Sequence, residues 1–126
     1  MHDHGTLNDL CRSLPGTTAS SPFGPDSVVY KVGGKMYALL SLELPRLNLK
    51  CDPELAQVLR ERHGAVEPGY HMSKRHWNSI YWEREPLDDA LLDAWIRHSY
   101  RLVYAGLTAK LRATLPAGAD VTADVE

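Results

Sequence analysis

The 126-residue chain contains no apolar run near the roughly 20 residues that a membrane-spanning helix requires. Its N-terminus, Met-His-Asp-His-Gly, lacks the basic segment followed by an apolar segment that marks a secretory signal. Cys11 and Cys51 are the only cysteines, and in a chain without an export signal we expect both to be reduced rather than joined in a disulfide. These absences predict a cytoplasmic protein without a membrane segment.

The motifs that bind phosphate groups or zinc are also missing. Neither GxxxxGKS/T nor GxGxxG surrounds Gly33 and Gly34, which suit a tight turn instead. No paired CxxC spacing is present, and His2 and His4 near the terminus have no third ligand in reach. No nucleophile elbow is recognisable. The sequence therefore predicts no cofactor and no metal, and it favours a binding protein over an enzyme.

The composition predicts one folded domain. Hydrophobic residues make up 44% and charged residues 24% of the chain, as is typical of globular proteins. We assign residues 1–116 to this domain and expect the small, acidic residues 117–126 to form a flexible tail. The formal net charge of -2 argues against a dedicated nucleic-acid binder, yet residues 27–82 carry 8 Lys and Arg against 5 Asp and Glu. This mildly basic middle segment permits weak, salt-sensitive binding of an anion.

The N-terminal half contains signals for a helix, a loop and three strands. Residues 3–13 have the apolar spacing of a short helix, and residues 15–27 are rich in turn formers and predict a surface loop. Residues 28–32 and 35–40 flank the two glycines in the pattern of a tight hairpin. A third strand is predicted at Arg46–Cys51. Its strict alternation places Leu47, Leu49 and Cys51 on the core and Arg46, Asn48 and Lys50 in water.

The C-terminal half begins and ends with helices. Asp52 and Pro53 are suited to the start of a helix that continues to about residue 62 and stops at Gly64. A further strand is predicted at Trp77–Trp82. The longest helix starts at residues 88–89, and a last short helix follows Thr108. This order predicts the α+β class, with one antiparallel sheet and helices packed on one of its faces.

Residues 69–82 interleave cations with aromatic rings. Lys74, Arg75 and His76 lie directly before Trp77 in the sequence. Such a segment is suited to holding an anion while it stacks a flat ring. Arg46, Lys50 and the hairpin lysines Lys31 and Lys35 would add donors for phosphate oxygens. A structural role stays open as well, because solvation explains polar residues on a sheet face and large aromatic residues are commonly buried.

Four segments of the chain resemble the MmcQ/YjbR family. They read GGKMYA at 33–38, LKCDPE at 49–54, PGYHMSKRHW at 68–77 and SYRLV at 99–103. The resemblance covers about residues 5–115 and implies a two-layer α-β(3)-α-β(2)-α fold, similar to secretion chaperones and to CyaY (frataxin-like) proteins. It also implies a small strand near residues 70–72. The family is described as DNA-binding through a double-wing arrangement of its sheet and loops.

The resemblance implies that DNA is the partner, bound without enzymatic activity through a basic surface of sheet and loops. Two alternatives remain open. One is a protein-interaction or chaperone-like module, which would dock a partner chain or a second copy in a homodimer. The other is a binder of small molecules, such as a drug, in the region of residues 70–77. The residues predicted to contact DNA are Lys35, Arg46, Lys50, Lys74, Arg75, His76, Trp77 and Asn78.

Overall fold

Residues 2–116 are described by a computed structural model, in which helices and strands follow one another in the predicted α+β order. The predicted tail, residues 117–126, lies outside the described residues. Within residues 2–116, no helix combines the length and apolar character needed to cross a membrane. The elements are α1 (His4–Ser13), β1 (Thr18–Ser20), β2 (Ser27–Val32), β3 (Lys35–Ser41), β4 (Arg46–Lys50), α2 (Pro53–Arg62), β5 (Val66–Pro68), β6 (Trp77–Tyr81), α3 (Asp89–Ala105) and α4 (Ala109–Ala113).

Side chains cap the N-terminus of each helix and satisfy backbone N–H groups that have no partner inside it. Asp52 accepts from the N–H groups of the first turn of α2, where Pro53 is the first helical residue. Asp88 does the same for α3, and Thr108 caps α4. Asp3 forms a reciprocal capping box at α1. The helix starts predicted from Asp52 and Thr108 are therefore confirmed.

The six strands form one antiparallel sheet in the order β1-β2-β3-β4-β6-β5. The β2–β3 hairpin turns at Gly33 and Gly34, whose φ angles of 59° and 80° lie in the region that glycine favours. Beyond the turn, β3 contains a bulge, because Tyr30 pairs with Ala38 and Lys31 pairs with Met36. The predicted hairpin is confirmed, and the bulge turns Tyr37 toward the helices, where its ring is fully buried.

Two strands differ from the sequence-based expectations. β1 lies within the segment predicted to be a loop, where pairing with β2 overrides the many turn formers. The second new strand is β5 at Val66–Pro68, whereas a strand was expected near residues 70–72. Those residues form a turn instead, with a hydrogen bond from Met72 N to Gly69 O and a positive φ of 57° at His71. The sheet therefore has short strands at both edges.

The helices pack on one face of the sheet and enclose the core with it. α3 contributes Leu92, Trp95, Ile96 and Val103 to this core, as its apolar stripe predicts. Its Ser99 fills the gap that the bulge leaves between β3 and β4. The Ser99 hydroxyl donates to Tyr37 O at 2.6 Å and accepts from Lys50 N at 2.9 Å. One buried side chain thus replaces a missing rung of the sheet ladder.

We expect Ser99→Ala to lower the free energy of unfolding by about 1–3 kcal/mol, because it leaves a buried carbonyl and a backbone N–H without partners. Chemical denaturation followed by circular dichroism measures this change. Ser20→Ala, at an exposed residue of the edge strand β1, is the matched control. A loss for Ser99→Ala no larger than that of the control would contradict the bridging role of the hydroxyl.

Candidate functional site

The face of the sheet opposite the helices, here called the open face, carries the candidate site. Strand alternation directs Arg46, Asn48 and Lys50 of β4 to this face. The register places Tyr81, Ser79 and Trp77 of β6 directly beside them. On the other side of β4, Asn48 pairs with Leu39 of β3. The open face therefore has charged or aromatic residues at both ends and a polar pair at its centre.

A loop formed by residues 69–76, here called the cover loop, lies over β4 and β6. Tyr70 N donates to Ser79 Oγ at 2.9 Å, and Ser79 Oγ donates to Asn48 Oδ1 at 2.6 Å. Asn48 Nδ2 in turn donates to Tyr70 O at 3.4 Å. Asn48 is only 1% exposed, so the prediction that it faces water is wrong. Its amide is buried because it satisfies the backbone of the cover loop.

The C-terminal end of the cover loop is held from the helix side of the sheet. Arg60 Nε donates to Asn78 Oδ1 at 2.7 Å, and the same guanidinium donates to the carbonyl groups of Lys74 and Trp77. Asn78 Nδ2 donates to Ala56 O of α2 at 3.4 Å. Asn78 is 1% exposed, and its side chain points away from the open face. Asn78 was predicted to contact DNA. The structure corrects this prediction, because the buried side chain of Asn78 has a structural role.

Close packing at the start of the cover loop requires glycine. A Cβ atom at Gly69 would lie 2.7 Å from Trp77 Cβ and 3.0 Å from Trp77 O. Gly69 N donates to that carbonyl at 2.8 Å, and Lys74 Nζ closes the loop by donating to Gly69 O at 3.1 Å. The backbones of the loop and of β6 thus approach too closely for any side chain at this position.

The predicted DNA contacts do not form one surface. Lys50 and Trp77 are neighbours at one end of the open face, and Arg46 lies at the opposite end of β4. Lys35 pairs with Val32, a core residue, so it leaves the hairpin tip on the helix side. Arg75 lines a concavity together with Glu54 of α2. The exposed members of the set are Lys35, Lys74, Arg75 and His76, and the half-buried members are Arg46, Lys50 and Trp77.

A groove of about 560 Å³ runs along the open face between the cover loop and the loop before β2, and we call it the open-face groove. Met36 and Leu39 of β3 form its floor. Phe23, Leu44 and Tyr70 line the groove as well, and these three are 72%, 47% and 47% exposed. Exposed apolar side chains of this size that converge on one concavity are typical of a binding site. The remaining lining residues are Asp26, Ser27, Ser41, Glu43, Arg46, His71 and Met72.

Charges of both signs line the open-face groove. The Arg46 guanidinium lies 4.3 Å from the centroid of the Tyr70 ring, a cation–π contact. The other face of the same wall is built by His71, whose ring centroid is 4.1 Å from that of Tyr70. Elsewhere in the lining, a hydrogen bond with Asp26 and the charge of that carboxylate raise the pKa of Glu43. The groove therefore offers an apolar floor, an aromatic wall, one cation and a pair of acids.

Neither a reactive cysteine nor a cluster of metal-binding side chains occurs among the described residues. Cys11 and Cys51 are buried, and burial raises the pKa of each thiol to about 12, so neither forms a thiolate near neutral pH. Between residues 2 and 116, no three His, Cys, Asp or Glu side chains are arranged to hold a metal ion.

Sequence reasoning located one wall of the open-face groove and missed the other parts. Tyr70 and His71 belong to the aromatic and basic segment, and Arg46 was among the predicted contacts. Phe23 and Leu44 were not considered, although an isolated Phe in a turn-rich loop and a Leu next to Pro45 are unusual in exposed segments. An apolar residue in a segment with no buried face is therefore the feature of the sequence that indicates Phe23 and Leu44.

We expect Gly69→Ala to lower the free energy of unfolding by about 1–3 kcal/mol, because the new methyl group collides with the backbone of β6. Thermal and denaturant unfolding measure the loss. Gly64→Ala is the matched control, since a Cβ atom there meets nothing within 4 Å. Equal stabilities of the two variants would show that the cover loop is not packed as closely as described.

Comparisons with known proteins agree on one family. Residues 12–102 match the family model YjbR. YbdF of Escherichia coli O157:H7, described as uncharacterised, is 40% identical over 110 residues, covering 85% of this chain and 88% of its own. YjbR of Escherichia coli K12, also described as uncharacterised, is 33% identical over 96 residues, 72% of this chain and 77% of its own.

Solved structures share the architecture. The crystal structure of Deinococcus radiodurans protein DR2400, of domain family DUF419, has a TM-score of 0.83 and 34% identity, covering 90% of this chain and 88% of its own. A Pseudomonas syringae protein has a TM-score of 0.71 and 26% identity, covering 81% of this chain and 99% of its own. The fold described above is therefore common to several bacterial proteins.

Proposed function

This chain belongs to the YjbR family, and within that family we propose that it acts as a binding protein, holding a small, flat, partly apolar ligand in the open-face groove. The observation that carries the proposal is the convergence of Phe23, Leu44 and Tyr70 on one concavity although each is 45% exposed or more. Leaving such side chains in water forfeits the free energy of their burial, which a ligand would recover.

The size and lining of the open-face groove support a small ligand. Its volume of about 560 Å³ lies within the range of roughly 300–1,000 Å³ that is usual for sites of small molecules. Phe23 and Tyr70 both line the groove, and each offers an aromatic ring against which a flat ligand ring packs. We propose a flat ligand because the floor of the open-face groove is the surface of a sheet.

The wall that carries Tyr70 is preorganised for binding. Both backbone groups of Tyr70 are held by the buried side chains of Asn48 and Ser79, so the wall does not have to order when a ligand arrives. The ring itself makes none of these bonds. Removal of the ring therefore tests binding without releasing the loop.

We expect Tyr70→Ala to weaken binding of the flat fluorescent probe anilinonaphthalene sulfonate roughly two- to tenfold, because one stacking partner is lost. Fluorescence titration measures the affinity, and amide chemical-shift mapping places the probe. Leu111→Ala, at an exposed leucine of α4, is the matched control and should bind as the parent does. Shifts outside residues 23–46 and 69–73, or equal affinities for all three proteins, would reject the groove as the site.

A second candidate function is DNA binding, favoured by the cations near the Lys50–Trp77 end of the sheet. Cys51 N donates to His76 O at 2.7 Å, which brings the exposed residues 74–76 next to the end of β4. Lys74 and Arg75 would contact phosphates there. The predicted cations as a set lie on both faces of the sheet. This spread favours a few contacts with the DNA backbone over recognition of the bases.

For this second function, we expect Lys74→Ala with Arg75→Ala to reduce the slope of log affinity against log salt by about 2, one for each phosphate contact removed. Fluorescence anisotropy with duplex and single-stranded DNA over a salt series measures the slope. Arg12→Ala with Lys110→Ala removes the same charge from α1 and α4 and serves as the control. An unchanged slope in the first double variant would exclude DNA contact by the cover loop.

A further inference from the structure

We propose that the ligand of the open-face groove is a small aromatic zwitterion, whose anionic edge contacts Arg46 and whose cationic edge contacts Asp26 and Glu43. The inference rests on the function proposed for the groove and adds the charge pattern of the ligand. It is carried by three features of the lining: a cation free of carboxylates, two carboxyl groups free of cations, and the strand spacings between Arg46 and the strand that follows Asp26.

Arg46 presents its charge to the groove without a counter-ion. It is half-buried, and its guanidinium carbon lies over the Tyr70 ring, 4.3 Å from the centroid. Among residues 2–116 it forms no ion pair with a carboxylate. Its N–H groups are hydrogen-bond donors, and those of a guanidinium donate in a plane to a carboxylate. If a ring of the ligand stacks beside Tyr70, an anionic group on that ring would accept hydrogen bonds from the N–H groups of Arg46.

Asp26 and Glu43 place two carboxyl groups in the lining of the groove. The two carboxyl groups contact each other, and within the described part of the chain neither has a cationic partner. A hydrogen bond with Asp26 and, after it, repulsion by the charge of the Asp26 carboxylate raise the pKa of Glu43 above its ordinary value. A ligand ammonium would relieve the repulsion, and the adjacent hydroxyl groups of Ser27 and Ser41 offer further acceptors.

The sheet separates Arg46 from Asp26, whereas Glu43 belongs to the connection between β3 and β4. Ser27 pairs with Ser41, and Leu40 pairs with Leu47, so Arg46 stands two strand spacings from the strand that follows Asp26. Two spacings amount to about 10 Å. Opposite charges that line one groove without forming an ion pair are available to a ligand that bridges them. A fused pair of aromatic rings with charges at its two ends spans this distance over the apolar floor.

Four matched naphthalene probes separate this inference from the function on which it rests. One carries an aminomethyl group on one ring and a carboxylate on the other. The others are naphthoate, naphthylmethylammonium and naphthylmethanol, which retain one charge or none. Calorimetry and amide shift mapping of the full chain at pH 7 give the affinity and the site for each. We expect the zwitterion to bind roughly two- to fivefold more tightly than either singly charged probe.

Variants at the two charges should show a crossed pattern. Arg46→Gln is expected to reduce binding of the zwitterion and of naphthoate while leaving naphthylmethylammonium unaffected or tighter. Glu43→Gln should do the reverse. Arg84→Gln and Glu83→Gln are the matched controls, since Arg84 also lies over a tyrosine ring, 3.9 Å from the centroid of Tyr81, outside the groove. The controls should leave all four affinities unchanged.

The outcomes decide between the two proposals. Equal binding of all four probes in the groove would overturn the zwitterion inference and leave the proposed function standing, as would a single-charge probe that binds tightest. Binding of none, or shifts confined to another surface, would overturn both. A zwitterion that binds tightest, with the crossed effects of Arg46→Gln and Glu43→Gln, supports both. Light scattering on the same samples detects a second copy as the occupant, which would overturn the inference.

Discussion

The buried hydrogen bonds between Asn48, Ser79 and the backbone of Tyr70 determine the shape of the proposed site. An amide and a hydroxyl on the open side of a sheet would ordinarily face water. Here they are 1% and 0% exposed because they bind the cover loop. Since the loop then covers β4 and β6 and leaves β3 uncovered, the same bonds that fix the loop also place the groove. A site built in this way depends on few residues and keeps its shape without a ligand.

The cover loop is held from both sides of the sheet, which explains much of the unusual sequence between residues 68 and 78. Asn48 and Ser79 hold its beginning on the open side, and Arg60 with Asn78 holds its end on the helix side. Gly69 permits the close approach to β6 between them. A segment that resembles a nucleic-acid surface in the sequence thus owes several of its residues to packing. The side chains of the cover loop that take no part in these hydrogen bonds, chiefly those of Tyr70 and His71, are the ones that the proposed site uses.

The sequence predicted the fold because its local signals and its tertiary structure agree. The glycine pair specified the hairpin, Asp52 and Pro53 specified the start of α2, and the stripe of α3 specified the core. The edge strands β1 and β5 were missed, since three-residue strands carry no periodicity and exist through pairing alone. The groove was missed for a related reason. Its floor belongs to β3, its walls belong to two loops distant in sequence, and only the register of the sheet brings Phe23, Leu39 and Tyr70 together.

The short outer strands have a consequence for how this protein behaves at high concentration. An open sheet with a row of unpaired backbone groups at its edge invites a neighbouring molecule to continue the ladder. β1 offers three residues at one edge, and β5 at the other ends in Pro68, which has no N–H to donate. Growth of the sheet from molecule to molecule is thereby discouraged at both margins. The protein can expose apolar side chains in its groove while its edges resist fibril-like aggregation.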